Sequence, residues 1–258
     1  MLKYRFSNIP ELEMSLVIRF PILYERKKGP KTPKFRKLSR MLRSDIPLKV
    51  KSINRDKIVN QHGGVGIKMI SAYCILEALQ QASGHVKAWR NGEVAYITKH
   101  EFLDLIINLQ IFLFELYSIL DYFAAEMALI LKLKKRKKRK TVFIDPERTS
   151  LTEVRQAINF KNKVERKIED LEKKPWFKYF HTMRNRVTHK LPISLGALVI
   201  VGENTIEFPF LPDEPLERKP TFYEKRNPLT ECEKWLEGVF AFVDDVSCDL
   251  GKELFDTF

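Results

Sequence analysis

The stretch from Lys99 to Leu133 constrains this chain more than any other part of it. Its apolar residues recur at helical spacing, and from Leu105 to Leu120 polar side chains are few. A helix that is apolar on almost every side needs neighbours on almost every side. A bilayer would supply them, and the stretch is long enough to cross one. Asp104, Asn108, Gln110, Glu115, Asp121 and Glu126 argue against that solution, because each would be costly in hydrocarbon. The stretch is expected instead to form the central helix of a bundle, buried nearly all round, in a mainly α protein with no membrane partner.

Other segments fit around such a helix. Helical spacing also covers about Ile67 to Trp89, with Gly92 as a stop. Ser150 followed by Glu153 has the pattern of a capping box. A further helix is expected over about Lys161 to Glu172. Another opens at Pro175 and carries Trp176, Phe177, Phe180, Met183 and Val187, ending before Pro192. The period then changes. Ala197–Val201 and Thr205–Phe208 flank Gly202-Glu203-Asn204, predicting a small β-hairpin at about 197–209. After a proline-marked loop, a last amphipathic helix is expected from about Pro228 to Phe255.

Residues 1–68 are less regular and are expected to be a basic N-terminal extension to a helical domain spanning 69–258. Leu16–Ile18 and Pro21–Tyr24 have the composition of short strands, and Arg26–Lys37 that of a basic loop. The segment from His62 to Lys68, with Gly63, Gly64 and Gly66, lacks the spacing of a phosphate loop and is expected to be a turn into the following helix.

Charge is unevenly placed. Residues 1–68 hold 17 Lys+Arg against 5 Asp+Glu, nearly the whole of the net +13, whereas residues 191–258 are acidic. Eight more cations fall between Lys132 and Lys140, a run too charged to continue as a packed helix. Such a run is either a solvated loop, a signal of the nuclear-import kind, or a patch tracking an RNA backbone through Lys134, Lys135, Arg136, Lys137 and Lys138. Cys74, Cys232 and Cys248 are too few and too scattered for a disulfide framework or a zinc site, and are expected as reduced, mostly buried thiols. Met1 to Arg19 has charges and a proline where a secretory segment would be apolar. A cytoplasmic setting follows as an expectation.

The chemistry concentrates in Phe180–His189. Residues four apart share a helix face, so His181, Asn185 and His189 form one stripe, flanked by Arg184. His181 and His189 are separated by about 12 Å along the axis and cannot chelate one ion together. No metal or other cofactor is expected. An imidazole titrating near neutrality and a forked cation instead suit metal-independent cleavage of a phosphodiester. The bland alternative is an exposed Arg/His face with no chemistry.

Arg184-Asn185, three residues, then His189 resembles the R-N-x3-H motif of the HEPN superfamily. The order of a long helix with Leu120-Asp121-Tyr122, a basic connection and the motif helix is similar too. The likeness covers roughly 70–190 and the last helix, and the hairpin after His189 resembles standalone branches with an insert there. It implies a HEPN-like helical bundle acting as a homodimer, with RNA as substrate and an antitoxin as a further partner. It also implies an endoribonuclease in which His189 is general acid or base, Arg184 stabilises the transition state and Asn185 positions the phosphate, as in toxins and phage-defence effectors. The alternative is a catalytically silent module binding RNA, a nucleotide or a protein. Leu191 replaces the Tyr that some toxins carry two residues after the His. The family commonly sets an acidic residue of the long helix against the motif Arg. Position in the sequence favours Asp121. Helical arithmetic puts Asp104, Asn108, Glu115 and Glu126 on one stripe and Asp121 well over 90° away, which leaves Glu115 as the alternative.

Overall fold

The computed structural model describes residues 31–49, 54–88, 99–137, 140–143, 145, 149–158, 163–189, 196–199, 206–213, 226–256 and 258. The strands expected at 16–18 and 21–24, the stop at Gly92, Leu191 and Lys138 lie outside them. Among the described residues the chain is mainly α. Its helices are α1 (Pro33–Arg43), α2 (Arg55–Ala88), α3 (Lys99–Ile130), α4 (Leu151–Ala157), α5 (Lys163–Lys173), α6 (Pro175–His189) and α7 (Pro228–Leu254). Two short antiparallel pairs complete it: β1 (Lys134–Lys137) with β2 (Lys140–Phe143), and β3 (Gly196–Val199) with β4 (Ile206–Phe210). The compact helical unit is Thr32–Phe258. Residues 33–49 and 54–68, grouped with the extension from sequence, therefore belong to this unit.

The reason lies in α1. Every third or fourth residue is apolar, and Phe35, Leu38, Met41 and Leu42 are buried against α7 and α2. Pro33 suits a first helical position, where its missing N–H is not needed. The N–H groups of Lys34 and Phe35 donate to Asp244 Oδ1 of α7 at 2.7 and 2.9 Å. A distant carboxylate thus satisfies two orphan donors and meets the positive end of the helix dipole.

Helix α2 starts twelve residues before the expected Ile67 and absorbs the glycine cluster. The glycines serve packing rather than turning. A Cβ on Gly64 would stand 2.6 Å from Tyr122 of α3, so the missing side chain lets the two long helices close on each other. This pairing of α2 with α3 is the most extensive in the bundle.

Helix α3 is buried along Leu105, Leu109, Phe112, Leu116, Ile119 and Phe123, but not all round. Leu103, Ile107, Ile111 and Phe114 remain 41, 49, 42 and 39% exposed, a stripe at helical spacing, so burial is less complete than the nearly all-round burial expected. By length and composition α3 could cross a membrane. Its carboxylates instead find partners inside the bundle, Glu115 with Lys68 and Glu126 with His62. The helix ends on Lys132, whose φ of 48° is left-handed, while the N–H of buried Leu133 reaches back to Ala128 O at 3.1 Å. That geometry satisfies a terminal carbonyl and turns the chain sharply.

After it, the basic run, for which the sequence left a solvated loop, an import-like signal and an RNA-tracking patch open, is extended over Lys134–Lys137. Lys134–Lys137 pairs residue by residue with Lys140–Phe143. Like charges resist compaction but not extension, and the paired strand satisfies its backbone hydrogen bonds. Lys134 Nζ lies 4.7 Å over the Phe143 ring.

The Ser150–Glu153 capping box forms with both reciprocal bonds, at 3.3 Å each. Helix α7 starts at Pro228, capped by Asn227, and buries Trp235, Phe240 and Val243 at the centre of the core. No disulfide links the cysteines; Cys232 is buried, but Cys74 is exposed, against expectation.

Where α7 crosses α6, Gly238 faces Trp176, and a Cβ there would meet the indole at 2.3 Å. Gly238→Ala should therefore lower stability by about 1–3 kcal/mol through overpacking, although alanine is the better helix former. Urea denaturation measures it. An unchanged midpoint would show that Trp176 moves aside at no cost.

Candidate functional site

Helix α6 is apolar on one side, where Phe177, Phe180 and Met183 are buried, and this fixes which of its polar residues face α3. Those residues are His181, Arg184 and Asn185. The Arg184 guanidinium lies over the ring of Tyr117 on α3, 4.1 Å from its centroid. The same Tyr117 ring stacks on His181 at 5.7 Å, and the Phe177 ring lies nearly parallel to the imidazole at 6.2 Å. Arg184 Nη1 donates to Asn185 Oδ1 at 3.1 Å, and Asn185 Nδ2 sits 3.3 Å from His181 Nε2. With the amide as donor, that imidazole nitrogen is the acceptor and the ring proton is on Nδ1. The Nε of Arg184 is buried and has no hydrogen-bond partner.

Electrostatics bind Asp121 to this group. Burial raises its carboxyl to about 6, and the nearby Arg184 cation only partly opposes the rise. Burial also lowers His181, helped by Arg184 and opposed by Glu172, so the imidazole is held neutral. Tyr117 is raised by burial and by Asp121 and stays a phenol. Glu172 of α5 is itself tied to Arg155 of α4 at 2.5 Å.

The helical arithmetic on α3 separates two faces. Glu115 is taken by Lys68, with both carboxylate oxygens 3.0 Å from Nζ, and so belongs to the α2 side. Asp121 belongs to the α6 side with Arg184. Position in the sequence thus identified the acidic neighbour, and the stripe containing Glu115 faces elsewhere. His189 is the last residue of α6, one turn beyond Asn185 on the same face, and its side chain lies outside the described residues. Lys134 to Lys137 form β1.

Tyr117 escaped the sequence reading. A tyrosine in a long apolar helix ordinarily counts as core, and the available signal was its place one turn before Asp121. Its ring meets both the guanidinium and the imidazole, and an aromatic face attracts a cation. The group as a whole offers a fixed cation with an unspent N–H, a carboxyl that changes protonation near pH 6 and a neutral imidazole. Those are the parts needed to bind an anionic oxygen and move a proton near neutrality.

The raised Asp121 carries a stability signature. Folded, it keeps its proton up to about pH 6; unfolded, only to its ordinary 3.8. Between those values the folded state binds more protons, so stability falls as pH rises through that window, and the loss persists above it. Asp121→Asn removes the titration. The variant is expected to melt above wild type at pH 7.5 and to converge with it near pH 4; a pH-independent difference would contradict the assignment. Neither a protein-family model, nor a curated protein, nor a solved structure matches this chain.

Proposed function

We propose that the chain is a metal-independent endoribonuclease of the HEPN type, with Arg184, Asn185 and His189 at its centre. One observation carries the reading: the motif arginine is not a solvated surface charge but is clamped by Tyr117 and Asn185 beside the buried carboxyl of Asp121. Ordering a long cationic side chain against an aromatic face costs entropy, and an N–H left without a partner costs more. A phosphate oxygen would offset both.

In the proposed reaction an RNA 2′-oxygen attacks the adjacent phosphorus and the 5′-oxygen leaves. The products are a 2′,3′-cyclic phosphate and a 5′-hydroxyl. His189, on the stripe shared with Asn185 and His181, would hold or deliver the proton. Arg184 would meet the charge on the phosphorane, and Asn185 would hold a non-bridging oxygen or the imidazole. His181 and Asp121 act as positioning residues. A second copy, related by a twofold axis beside α6, would double the cations along the cleft, and symmetric pairing is the commonest arrangement of soluble oligomers. The purified chain is expected to run at twice its mass and to cleave single-stranded RNA in EDTA. Arg184→Ala and His189→Ala should each slow cleavage by at least about 100-fold. Equal cleavage by both variants would remove the site. No cleavage by wild type would favour the second reading, a silent module that binds RNA, a nucleotide or a protein through the same cation.

The β1–β2 ribbon supplies a separate expectation. Its cations are held on an extended, backbone-paired platform, which suits a phosphate chain better than a collapsed loop does. Replacing Lys134, Lys135, Arg136, Lys137 and Lys138 by Gln should weaken RNA binding across sequences and flatten the slope of log affinity against log salt by several units. An unchanged slope would assign the ribbon to solvation alone.

A further inference from the structure

On the side of α3 that faces α2, three helices bring together a serine, a histidine and a carboxylate. Ser39 Oγ of α1 lies 2.6 Å from His62 Nε2 of α2. His62 Nδ1 lies 2.7 Å from Glu126 Oε1 of α3. The Phe35 ring stacks on the imidazole at 4.0 Å with an interplanar angle of 22°, which fixes the plane of the ring. His62 is 4% exposed and Glu126 0%, whereas Ser39 is only part-buried. A carboxylate can only accept, so Nδ1 carries a ring proton, and in the neutral ring Nε2 is left to accept from the serine hydroxyl. The order is that of an activated nucleophile: an accessible hydroxyl, a base on it, and an acid group orienting the base.

A buried histidine needs partners for both nitrogens, and that alone could explain two of the bonds. It does not explain the choice of Glu126. Its second oxygen, Oε2, is buried without a hydrogen-bond partner, a costly state for a carboxylate. A glutamine would accept the same Nδ1 proton with less charge to bury. Nor does it explain Ser39, since a serine inside a helix usually bonds back to the carbonyl one turn earlier. What a carboxylate adds is stabilisation of an imidazolium, which matters when the histidine takes a proton.

We propose that Ser39 is a nucleophile activated by His62 and Glu126, acting on activated acyl groups such as esters. Its Oγ bonds to the carbonyl carbon while its proton passes to His62 Nε2. The C–O bond to the leaving group then breaks, and that proton goes to the departing oxygen. Water, deprotonated by the same imidazole, hydrolyses the acyl-Ser39 and returns the hydroxyl. The N–H groups around Ser39 are used inside α1, so no backbone pair is available to the oxyanion. Charge must be met by side chains, and by helical spacing Arg36 and Arg43 stand one turn either side of Ser39. An acyl donor with a good leaving group suits such a site better than an amide.

The test uses the whole chain and a fluorophosphonate probe, which phosphonylates an activated serine with loss of fluoride. At pH 7.5 the folded protein is expected to gain one adduct, mapped by peptide mass to Ser39. The adduct should be absent in Ser39→Ala. Glu126→Gln, which keeps the shape and the hydrogen bond, should slow labelling by at least about tenfold, part of what acid–base help contributes. Circular dichroism establishes that each variant is folded. No adduct on Ser39 of folded wild type would overturn the proposal, and so would equal labelling rates in wild type and Glu126→Gln. RNA cleavage is measured in parallel on Ser39→Ala, so that loss at this site is told apart from loss at Arg184.

Discussion

The arrangement of the bundle depends on how α3 satisfies ionisable groups while buried. A carboxylate inside a helical core is tolerated only with a partner aimed at it. Three carboxylates fall in the second half of α3, Glu126 fully buried and Glu115 and Asp121 partly so, and their spacing sends them in two directions. Glu115 and Glu126 face α2, where Lys68 and His62 receive them. Asp121 faces α6 and Arg184. Shifting α3 by one residue about its axis would leave all three groups unpaired at once. Register along the most extensive helix pair is thereby fixed by charge as well as by the approach of Gly64 to Tyr122.

Legibility followed locality. Helix α7, the capping box at Ser150 and the start of α6 at Pro175 were readable because caps and apolar spacing are local. So was the Arg184, Asn185 and His181 group, since residues four apart meet on any helix. The start of α2 was not readable, because glycines that break a helix in isolation are tolerated where a neighbouring helix needs the room. The basic ribbon was hidden for a related reason. Lysines carry no strand preference, and what holds β1 is its pairing with Lys140–Phe143. Among the site residues, Asp121 needed the position of α6 to be preferred over Glu115. Tyr117 needed to be seen lying under a guanidinium. The contact of Ser39 with His62 and Glu126 joins three helices, and no periodicity within any one of them announces it.

Helix α3 also divides along its length. Its second half is more enclosed, Tyr122 apart, and both polar groups of interest lie there. Its first half leaves Leu103, Ile107, Ile111 and Phe114 exposed in line. Apolar side chains scattered singly on a surface need no explanation, but a stripe at helical spacing has the pattern of a face that normally packs. The twofold pairing proposed for the nuclease reading offers one use for it. That use requires only that the stripe and α6 be approached from the same side, since α3 contributes to both.

The charge state around Arg184 has a consequence for any anion that comes to it. Near pH 6 the Asp121 carboxyl is balanced between its two forms, because burial favours the acid and Arg184 favours the anion. A phosphate placed against the guanidinium would neutralise that cation and add negative charge close to Asp121. Both changes favour the protonated carboxyl. Binding an anion should therefore draw a proton into the site, and by linkage a proton on Asp121 should favour the anion. His181 moves in the same direction, because the same phosphate would relieve the repulsion from Arg184 that helps keep the imidazole neutral. An empty site thus holds one neutral imidazole beside a partly ionised acid. An occupied one gathers protons on both, which is the direction required of groups that must supply a proton to a leaving oxygen.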